Sequence, residues 1–275
     1  MRVLLAFILA LGFTFAISPT GAQACGPDTN CDIDDHRHYR IRMPEGHDGE
    51  TPVGAIFYAH GYKGSAKGAM RNQSMAKAVS DLGLALVALK SFGDDWFIAN
   101  APNEPKPEEL VEMVYVDAVI ADVTTRFAVD PSKLMLTGFS AGGMMTWTVA
   151  CENGEKFAGY APMAGTFWEP TPTFCPSPAT HVLHTHGTSD RVVPLTGRPI
   201  LNTHQGNISN VMSMYANQGN FGEAKTYKVL DLECSRSTNR QDKVLEICLH
   251  PGGHEFKTQY IVRAWQELEK LGAVN

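Results

Sequence analysis

The chain has 275 residues and a formal net charge of −6 at pH 7, with 44% hydrophobic and 19% charged residues. Because this mild acidity comes without basic runs, we expect neither nucleic acid nor an anionic membrane as a partner. The length suits one α/β domain with a large core, which we place at residues 25–275.

Residues 1–24 have the pattern of a secretory signal peptide. A short basic start precedes an apolar core from Val3 to Ile17, and Ala22-Gln23-Ala24 supplies the small residues before a cut. We therefore expect a secreted or periplasmic protein with no membrane insertion after cleavage. The alternative is a lipoprotein signal with the lipid on Cys25, although alanine stands where such signals prefer leucine.

Strand-like and helical runs alternate along the rest of the chain, which is typical of a mostly parallel sheet covered by helices on both faces. In chain order, the predicted strands are Val53–Ala59, Leu84–Leu89, Leu134–Thr137, Gly159–Met163, Thr180–His186, Tyr227–Leu232 and Val244–Leu249. The predicted helices are Ala66–Leu82, Glu108–Phe127, Met144–Ala150, Ile208–Ala216 and Lys257–Leu271. Repeats, low-complexity tracts and linkers are absent from the sequence.

The segment Gly138-Phe139-Ser140-Ala141-Gly142 has the G-x-S-x-G pattern and lies between a predicted strand and a predicted helix. In that context the pattern forms a nucleophile elbow, a tight turn that exposes the serine hydroxyl at the top of a sheet. The flanking glycines avoid a Cβ clash with the neighbouring elements. We predict Ser140 as a nucleophile. The alternative is a chance match, since the pattern alone is loose.

A serine hydroxyl needs a base and an orienting acid near neutral pH, and the expected order is serine, acid, histidine. Asp190 follows the strand ending at His186, at the edge where open α/β sheets place their sites. Its alternative role is to cap the following turn. His254 follows a glycine pair in a loop able to bring its imidazole over the serine. His250 is the competing base, but it lies at the end of a strand.

The oxyanion hole of such a site uses two backbone N–H groups, one after the nucleophile and one in an earlier loop. This assigns Ala141 and Tyr62. His60 precedes Tyr62 in the same loop. We expect it to brace that loop by hydrogen bonding, and a second catalytic histidine is the alternative.

Two loops at the carboxyl ends of predicted strands carry tryptophans that we expect to shape a substrate pocket, Trp96 and Trp168. Simple packing within each loop is the alternative. The histidines at 181, 184 and 186 do not suit a metal, because only His184 and His186 share a strand face and no carboxylates accompany them. We predict no metal and no cofactor.

Six cysteines in an exported chain indicate disulfides. Zinc is a poor alternative because the sequence contains no C-x-x-C pair. Six cysteines allow fifteen pairings.

The ordered motifs resemble the polyhydroxybutyrate depolymerase-like branch of the α/β-hydrolases, a group that includes feruloyl and acetylxylan esterases. The matching segments are Cys25…Cys31 with residues 39–44, His60-Gly61-Tyr62, residues 129–145, residues 186–194 and Gly252-Gly253-His254. The resemblance implies an α/β-hydrolase fold and the triad Ser140, Asp190 and His254. With proximity in sequence, it also favours the disulfides Cys25–Cys31, Cys151–Cys175 and Cys234–Cys248.

One segment departs from the family pattern. Members often carry an aromatic residue and a proline soon after the catalytic histidine, whereas Glu255-Phe256-Lys257 follows here. That loop borders the acyl or alcohol pocket, so substrate preference does not carry over. Phe256 joins His60, Trp96 and Trp168 as a candidate pocket residue.

The sequence therefore predicts an exported serine carboxylic-ester hydrolase that works through an acyl-enzyme on hydroxyalkanoate oligomers or short-chain esters. A feruloyl or acetyl esterase acting on polysaccharide-linked esters is the alternative. Too few residues separate Met163 from Asp190 for a large lid, and no polymer-binding module follows the last helix, so we expect neither a true lipase nor activity on crystalline polyester. A serine peptidase and a non-catalytic binding protein are less favoured. The sequence does not predict the oligomeric state.

Overall fold

The computed structural model describes residues 25–102 and 111–275. The predicted signal peptide and the beginning of the predicted helix Glu108–Phe127 lie outside the described residues.

The described residues form one large twisted sheet and a small two-stranded hairpin. The strands are β1 (Cys31–Asp32), β2 (His38–Arg42), β3 (Val53–Ala59), β4 (Ala85–Leu89), β5 (Val129–Phe139), β6 (Gly159–Met163), β7 (Val182–Gly187), β8 (Pro199–Ile200), β9 (Thr203–His204), β10 (Lys225–Val229), β11 (Leu232–Thr238) and β12 (Val244–His250). The helices are α1 (Ala66–Met70), α2 (Gln73–Asp81), α3 (Val111–Arg126), α4 (Ala141–Glu152), α5 (Ile208–Gln218) and α6 (Thr258–Lys270).

The large sheet has the strand order β1-β2-β4-β3-β5-β6-β7-β12-β11-β10. The central run from β4 to β12 is parallel, and the two outer strands on each side pair antiparallel. Apolar side chains on one face of the sheet pack with α3, α4 and α5, and those on the other face pack with α1, α2 and α6. Parallel strands buried on both faces read as continuous apolar runs, which explains why β3 and β6 were predicted to the residue.

Several predicted elements are longer or shorter in the structure, and two differ in more than their ends. The predicted helix Ala66–Leu82 is two helices, because the Asn72 side chain accepts a hydrogen bond from the Met75 N–H and caps a new helix there. The predicted strand Tyr227–Leu232 instead covers the end of β10, a turn in which Leu230 has a φ of 54°, and the first residue of β11.

The described residues contain three disulfides, Cys25–Cys31, Cys151–Cys175 and Cys234–Cys248, which are the pairs that the family resemblance favoured. Cys234 and Cys248 lie directly opposite each other on β11 and β12. Together with Glu246 they are the one group of possible metal ligands close enough for an ion in the described part of the chain, but the disulfide leaves no thiolate to bind it.

Among the helices that the structure describes, none combines the length and apolarity that a membrane crossing requires.

Candidate active site

Ser140 lies on the sharp turn between β5 and α4, with φ 59° and ψ −121°. A non-glycine residue in this region is strained and persists only where its surroundings fix it. The Ser140 N–H donates to the Met163 carbonyl at 2.9 Å, which ties the turn to β6. A Cβ on Gly138 would lie 2.2 Å from the Gly142 carbonyl oxygen, and one on Gly142 would lie 1.9 Å from the Ala59 carbonyl oxygen. The turn therefore requires glycine at both positions, as the sequence pattern predicted.

Asp190 lies in the loop that follows β7, and its side chain is fully buried. Its Oδ1 accepts hydrogen bonds from the N–H groups of Val192 and Val193, both at 2.8 Å. Its Oδ2 lies 2.7 Å from Nδ1 of His254. Burial alone would raise the pKa of Asp190, but the hydrogen bonds from His254 and Val193 outweigh it, so the pKa lies below its ordinary value. The carboxyl group is thus held ionised.

His254 lies in the loop between β12 and α6, beside the turn that carries Ser140. Its ring packs on Phe139, the residue before Ser140, with 4.6 Å between ring centroids. Within the described residues, neither His254 Nε2 nor Ser140 Oγ makes a hydrogen bond. The structure therefore brings His254 onto Asp190 and next to the turn, without a closed serine–histidine hydrogen bond. Such bonds are often long in free enzymes and tighten with substrate.

The competing base, His250, is buried at the end of β12. Its Nδ1 accepts a hydrogen bond from the Gly252 N–H at 3.1 Å, and its ring packs on Tyr260. These contacts give His250 a structural role in the loop that carries His254.

The two residues predicted to supply the oxyanion hole, Tyr62 and Ala141, line the same cleft as Ser140. Ala141 is the first residue of α4, so its N–H has no partner within the helix. The loop that carries Tyr62 crosses the turn closely enough that a Cβ on Gly61 would lie 3.4 Å from Ser140 Cβ. Tyr62, Ser140 and Ala141 line one common cleft.

His60 is buried under this loop and braces it by hydrogen bonds. Its Nδ1 donates to the Gly61 carbonyl at 2.8 Å, and its Nε2 accepts from the Ser91 N–H at 3.2 Å. The Trp96 indole N–H donates to the His60 carbonyl at 2.7 Å. Burial lowers the pKa of His60 to about 4, which keeps the ring neutral.

The cleft beside Ser140 has a volume of about 240 Å³. Of the four aromatic or histidine residues predicted to line a pocket, Trp168 lies on its wall. His60 and Trp96 are instead buried beneath the loop, where they hydrogen-bond to it. Phe256 packs edge-on against Phe139 and Tyr58, away from the cleft lining. Trp96 thus follows the alternative of packing within its loop, and His60 has the bracing contacts expected of it. Phe256 is not among the residues that line the cleft.

The family model described as "Putative esterase" matches residues 31–268. The chain belongs to this esterase family. It is 26% identical to feruloyl esterase C of Emericella nidulans over 206 residues, which are 71% of this chain and 72% of that protein. It is 30% identical to "Putative esterase NocK" of Nocardia uniformis subsp. tsuyamanensis over 155 residues, or 56% of this chain, and the match spans only 43% of the Nocardia protein.

Among solved structures, the acetyl xylan esterase from Aspergillus awamori superposes with a TM-score of 0.62 over 89% of this chain and 98% of that one, at 13% identity. At that identity the likeness concerns the fold alone. The predicted α/β-hydrolase fold and the predicted resemblance to feruloyl esterase-like proteins are both confirmed.

Sequence reasoning missed the polar residues Asp95, Arg198 and Gln205 of the esterase's cleft. Gln205 directly follows the small hairpin of β8 and β9. Its side chain is 4% exposed and its Oε1 is buried without a hydrogen-bond partner among the described residues. A β-bridge to Trp168 and a hydrogen bond from its N–H to the Arg198 carbonyl fix its backbone. Strands of two residues leave no periodic signal in the sequence, so the part of the cleft wall next to β8 and β9 could not be predicted.

Proposed function

We propose that the protein is a serine esterase in which Ser140, His254 and Asp190 form the catalytic triad. The observation that carries the proposal is the 2.7 Å hydrogen bond between the buried Asp190 carboxylate and His254 Nδ1, beside a strained serine on a strand-to-helix turn. We further propose a single catalytic domain over residues 25–275, exported after removal of residues 1–24. Three disulfides support export, because such bonds persist in oxidising compartments.

In this mechanism Ser140 Oγ attacks the ester carbonyl while His254 Nε2 accepts the serine proton. Asp190 holds the Nδ1–H and stabilises the imidazolium that forms. The N–H groups of Tyr62 and Ala141 stabilise the oxyanion. His254 then donates its proton to the leaving alcohol. A water molecule, deprotonated by His254, hydrolyses the acyl-enzyme and regenerates Ser140.

The cleft favours a compact acyl group that carries a hydroxyl. Its volume of about 240 Å³ is small for a ligand pocket, and Met144, Trp168 and Val193 give it an apolar wall. Gln205 adds an amide group to this wall, and its Oε1 is buried without a hydrogen-bond partner among the described residues. A buried acceptor without a donor costs about 1–3 kcal/mol, so rotation of the amide toward a substrate hydroxyl in the cleft would be favourable.

Hydroxycinnamate and hydroxyalkanoate esters both offer such a hydroxyl, on an aromatic ring in the first and on an aliphatic chain in the second. The relatives named feruloyl esterase C favour the aromatic class, and the Trp168 face on the cleft wall is suited to it. We propose hydroxycinnamate esters as the first substrate class and hydroxyalkanoate oligomers as the second.

Hydrolysis of methyl ferulate, methyl 3-hydroxybutyrate and p-nitrophenyl acetate by the purified protein tests the reaction type. Ser140→Ala is expected to lower kcat by about 10⁴–10⁶-fold. Ser132→Ala is the matched control and should match the wild type, because Ser132 is exposed near the start of β5, the strand that ends just before Ser140. If a folded wild-type protein hydrolyses none of these esters, the proposed function is wrong.

Matched ester pairs test the role of Gln205. Methyl p-coumarate is compared with methyl cinnamate, and methyl 3-hydroxybutyrate with methyl butyrate, which differ only in the hydroxyl. We expect kcat/KM to favour the hydroxylated member of one pair by about tenfold, and Gln205→Leu to abolish that preference. The pair that shows it identifies the substrate class. Equal rates within both pairs would contradict hydroxyl recognition.

A further inference from the structure

A row of three buried rings runs from the nucleophile helix to the loop that carries Asp190. The Trp147 indole N–H, on α4, lies 3.1 Å from Nδ1 of His184 on β7. Nε2 of His184 lies 3.0 Å from Nδ1 of His186, and Nε2 of His186 lies 2.7 Å from the Val193 carbonyl oxygen. All three rings are at most 1% exposed.

The chemistry of the two ends fixes the direction of every hydrogen bond in the row. An indole N–H can only donate, so His184 Nδ1 accepts and the His184 proton is on Nε2. That proton is donated to His186 Nδ1, so the His186 proton is also on Nε2. It is donated in turn to a carbonyl, which can only accept. Both histidines are therefore neutral Nε2–H tautomers.

A second proton on either ring would disrupt the row. Protonated His184 would point an Nδ1–H at the indole N–H, and protonated His186 would point one at the Nε2–H of His184. Burial also disfavours the charged form, and it lowers the pKa of both histidines below the ordinary value. The row thus has a single hydrogen-bonded state.

The far end of the row holds the loop that presents the carboxylate. Val193 accepts from His186 through its carbonyl and donates to Asp190 Oδ1 through its N–H at 2.8 Å. Nε2 of His186 also lies 3.6 Å from Asp190 Oδ2, the oxygen that accepts from His254. The row therefore links the helix behind Ser140 to the residue that orients His254.

We infer that His184 and His186 are positioning residues, locked as neutral Nε2–H tautomers between Trp147 and Val193, that hold Asp190 in place relative to the nucleophile helix. The inference rests on the proposed function in taking Asp190 as the acid of a triad. Neither histidine touches the substrate or the reacting atoms.

Nitrogen-15 NMR of the histidine side chains tests the tautomers in the wild-type protein without reference to activity. Long-range proton–nitrogen spectra distinguish Nδ1–H, Nε2–H and doubly protonated rings, and His184→Gln and His186→Gln assign the signals. We expect both rings to be neutral and Nε2-protonated at pH 7. A charged ring or an Nδ1–H tautomer at either position would overturn the inference.

Variants of His186 test the positioning role. His186→Gln keeps an acceptor and a donor on one side chain and should retain most of the wild-type kcat. His186→Leu removes both groups, and His186→Asn is too short to reach Val193 while accepting from His184. Both are expected to lower kcat by about 100-fold. They should also weaken the downfield proton signal of the His254–Asp190 hydrogen bond.

His181→Leu is the matched control. His181 is also buried and accepts a hydrogen bond from the Val244 N–H, but it precedes β7 at the opposite edge of the sheet. His181→Leu should keep the wild-type kcat and the downfield proton signal of the His254–Asp190 hydrogen bond. A folded His186→Leu or His186→Asn with wild-type kcat and an unchanged signal would overturn the inference. A wild type that hydrolyses no ester would instead refute the proposed function, and the tautomer spectra would still decide the state of the row.

Discussion

At the residue scale, hydrogen bonds keep the buried Asp190 side chain ionised, as its proposed role requires. Two backbone N–H groups hold one carboxylate oxygen, and His254 holds the other. Hydrogen bonds of this kind to a charged group are about twice as strong as neutral ones. They explain why the pKa is low although the side chain is buried.

Asp190→Asn is expected to lower kcat by about 10⁴-fold, because a neutral amide no longer fixes the tautomer of His254 or stabilises its charged form. Steady-state hydrolysis of the preferred ester measures the loss. Asp231→Asn is the control, since Asp231 instead accepts from Lys257 and Tyr260. A fall of less than tenfold in Asp190→Asn would show that His254 works without this acid.

The lowered pKa of Asp190 also predicts how stability changes with pH. Because the folded pKa lies below the unfolded value of about 3.9, the ionised carboxylate stabilises the fold above that pH, and the contribution is lost as pH falls through the folded pKa. We expect the difference in free energy of unfolding between wild type and Asp190→Asn to shrink from pH 6 to pH 3. Urea unfolding at both pH values measures it. An unchanged difference would contradict the assignment.

At the scale of elements, helix α4 fixes the position of Ser140 because the helix is packed tightly along its length. From Ala141 to Cys151 its residues are buried, and Cys151 is bonded to Cys175 in the loop that follows β6. Near its start, Gly142 lies against the carbonyl of Ala59 on β3. These contacts fix the position of the first turn of α4 relative to the sheet.

Gly142→Ala should destabilise the fold and lower activity together. A Cβ 1.9 Å from the Ala59 carbonyl oxygen must displace backbone, and overpacking of this kind costs about 1–3 kcal/mol or more. Gly26→Ala is the control, because a Cβ there meets nothing within 4 Å. Urea unfolding compares the two. Equal stability of both variants would mean that the turn tolerates a side chain.

The elements also show what a sequence can predict. Apolar runs predicted β3 and β6 because fully buried parallel strands have no polar face, and the strand-turn-helix context marked Ser140. Two details that depend on tertiary contacts could not be predicted from the sequence. The turn at Leu230 uses a left-handed residue without glycine, and the burial of Trp96 depends on a hydrogen bond to a distant loop. The catalytic roles of Ser140, Asp190 and His254 stay predictions.

At the scale of the whole molecule, a buried ion pair joins the N-terminal strands to the body of the domain. Arg37, just before β2, contacts Glu112 on α3 at 2.6 Å, and both are at most 3% exposed. The other Glu112 oxygen accepts from the Phe97 N–H at 2.8 Å, in the loop after β4. Burial raises the pKa of Glu112 despite the arginine.

Arg37→Met should destabilise the protein by about 3–5 kcal/mol, because it leaves an unpaired carboxyl group in the interior. Arg37→Met with Glu112→Leu is expected to recover much of the loss, since it removes both charges. Lys77→Met, in the exposed pair with Asp81, is the control and should change little. Urea unfolding gives the values. A double variant no more stable than Arg37→Met would contradict the account of the pair.

Covalent labelling tests the central claim, that Ser140 is an activated nucleophile, most directly. The protein is treated with diethyl p-nitrophenyl phosphate, which phosphorylates an activated serine and releases p-nitrophenolate, and its mass and peptides are then measured. We predict one diethylphosphoryl group per chain, on the peptide that contains Ser140, with none in Ser140→Ala and strongly slowed labelling in Asp190→Asn. Labelling at another residue, or none in a folded wild-type protein, would contradict the account.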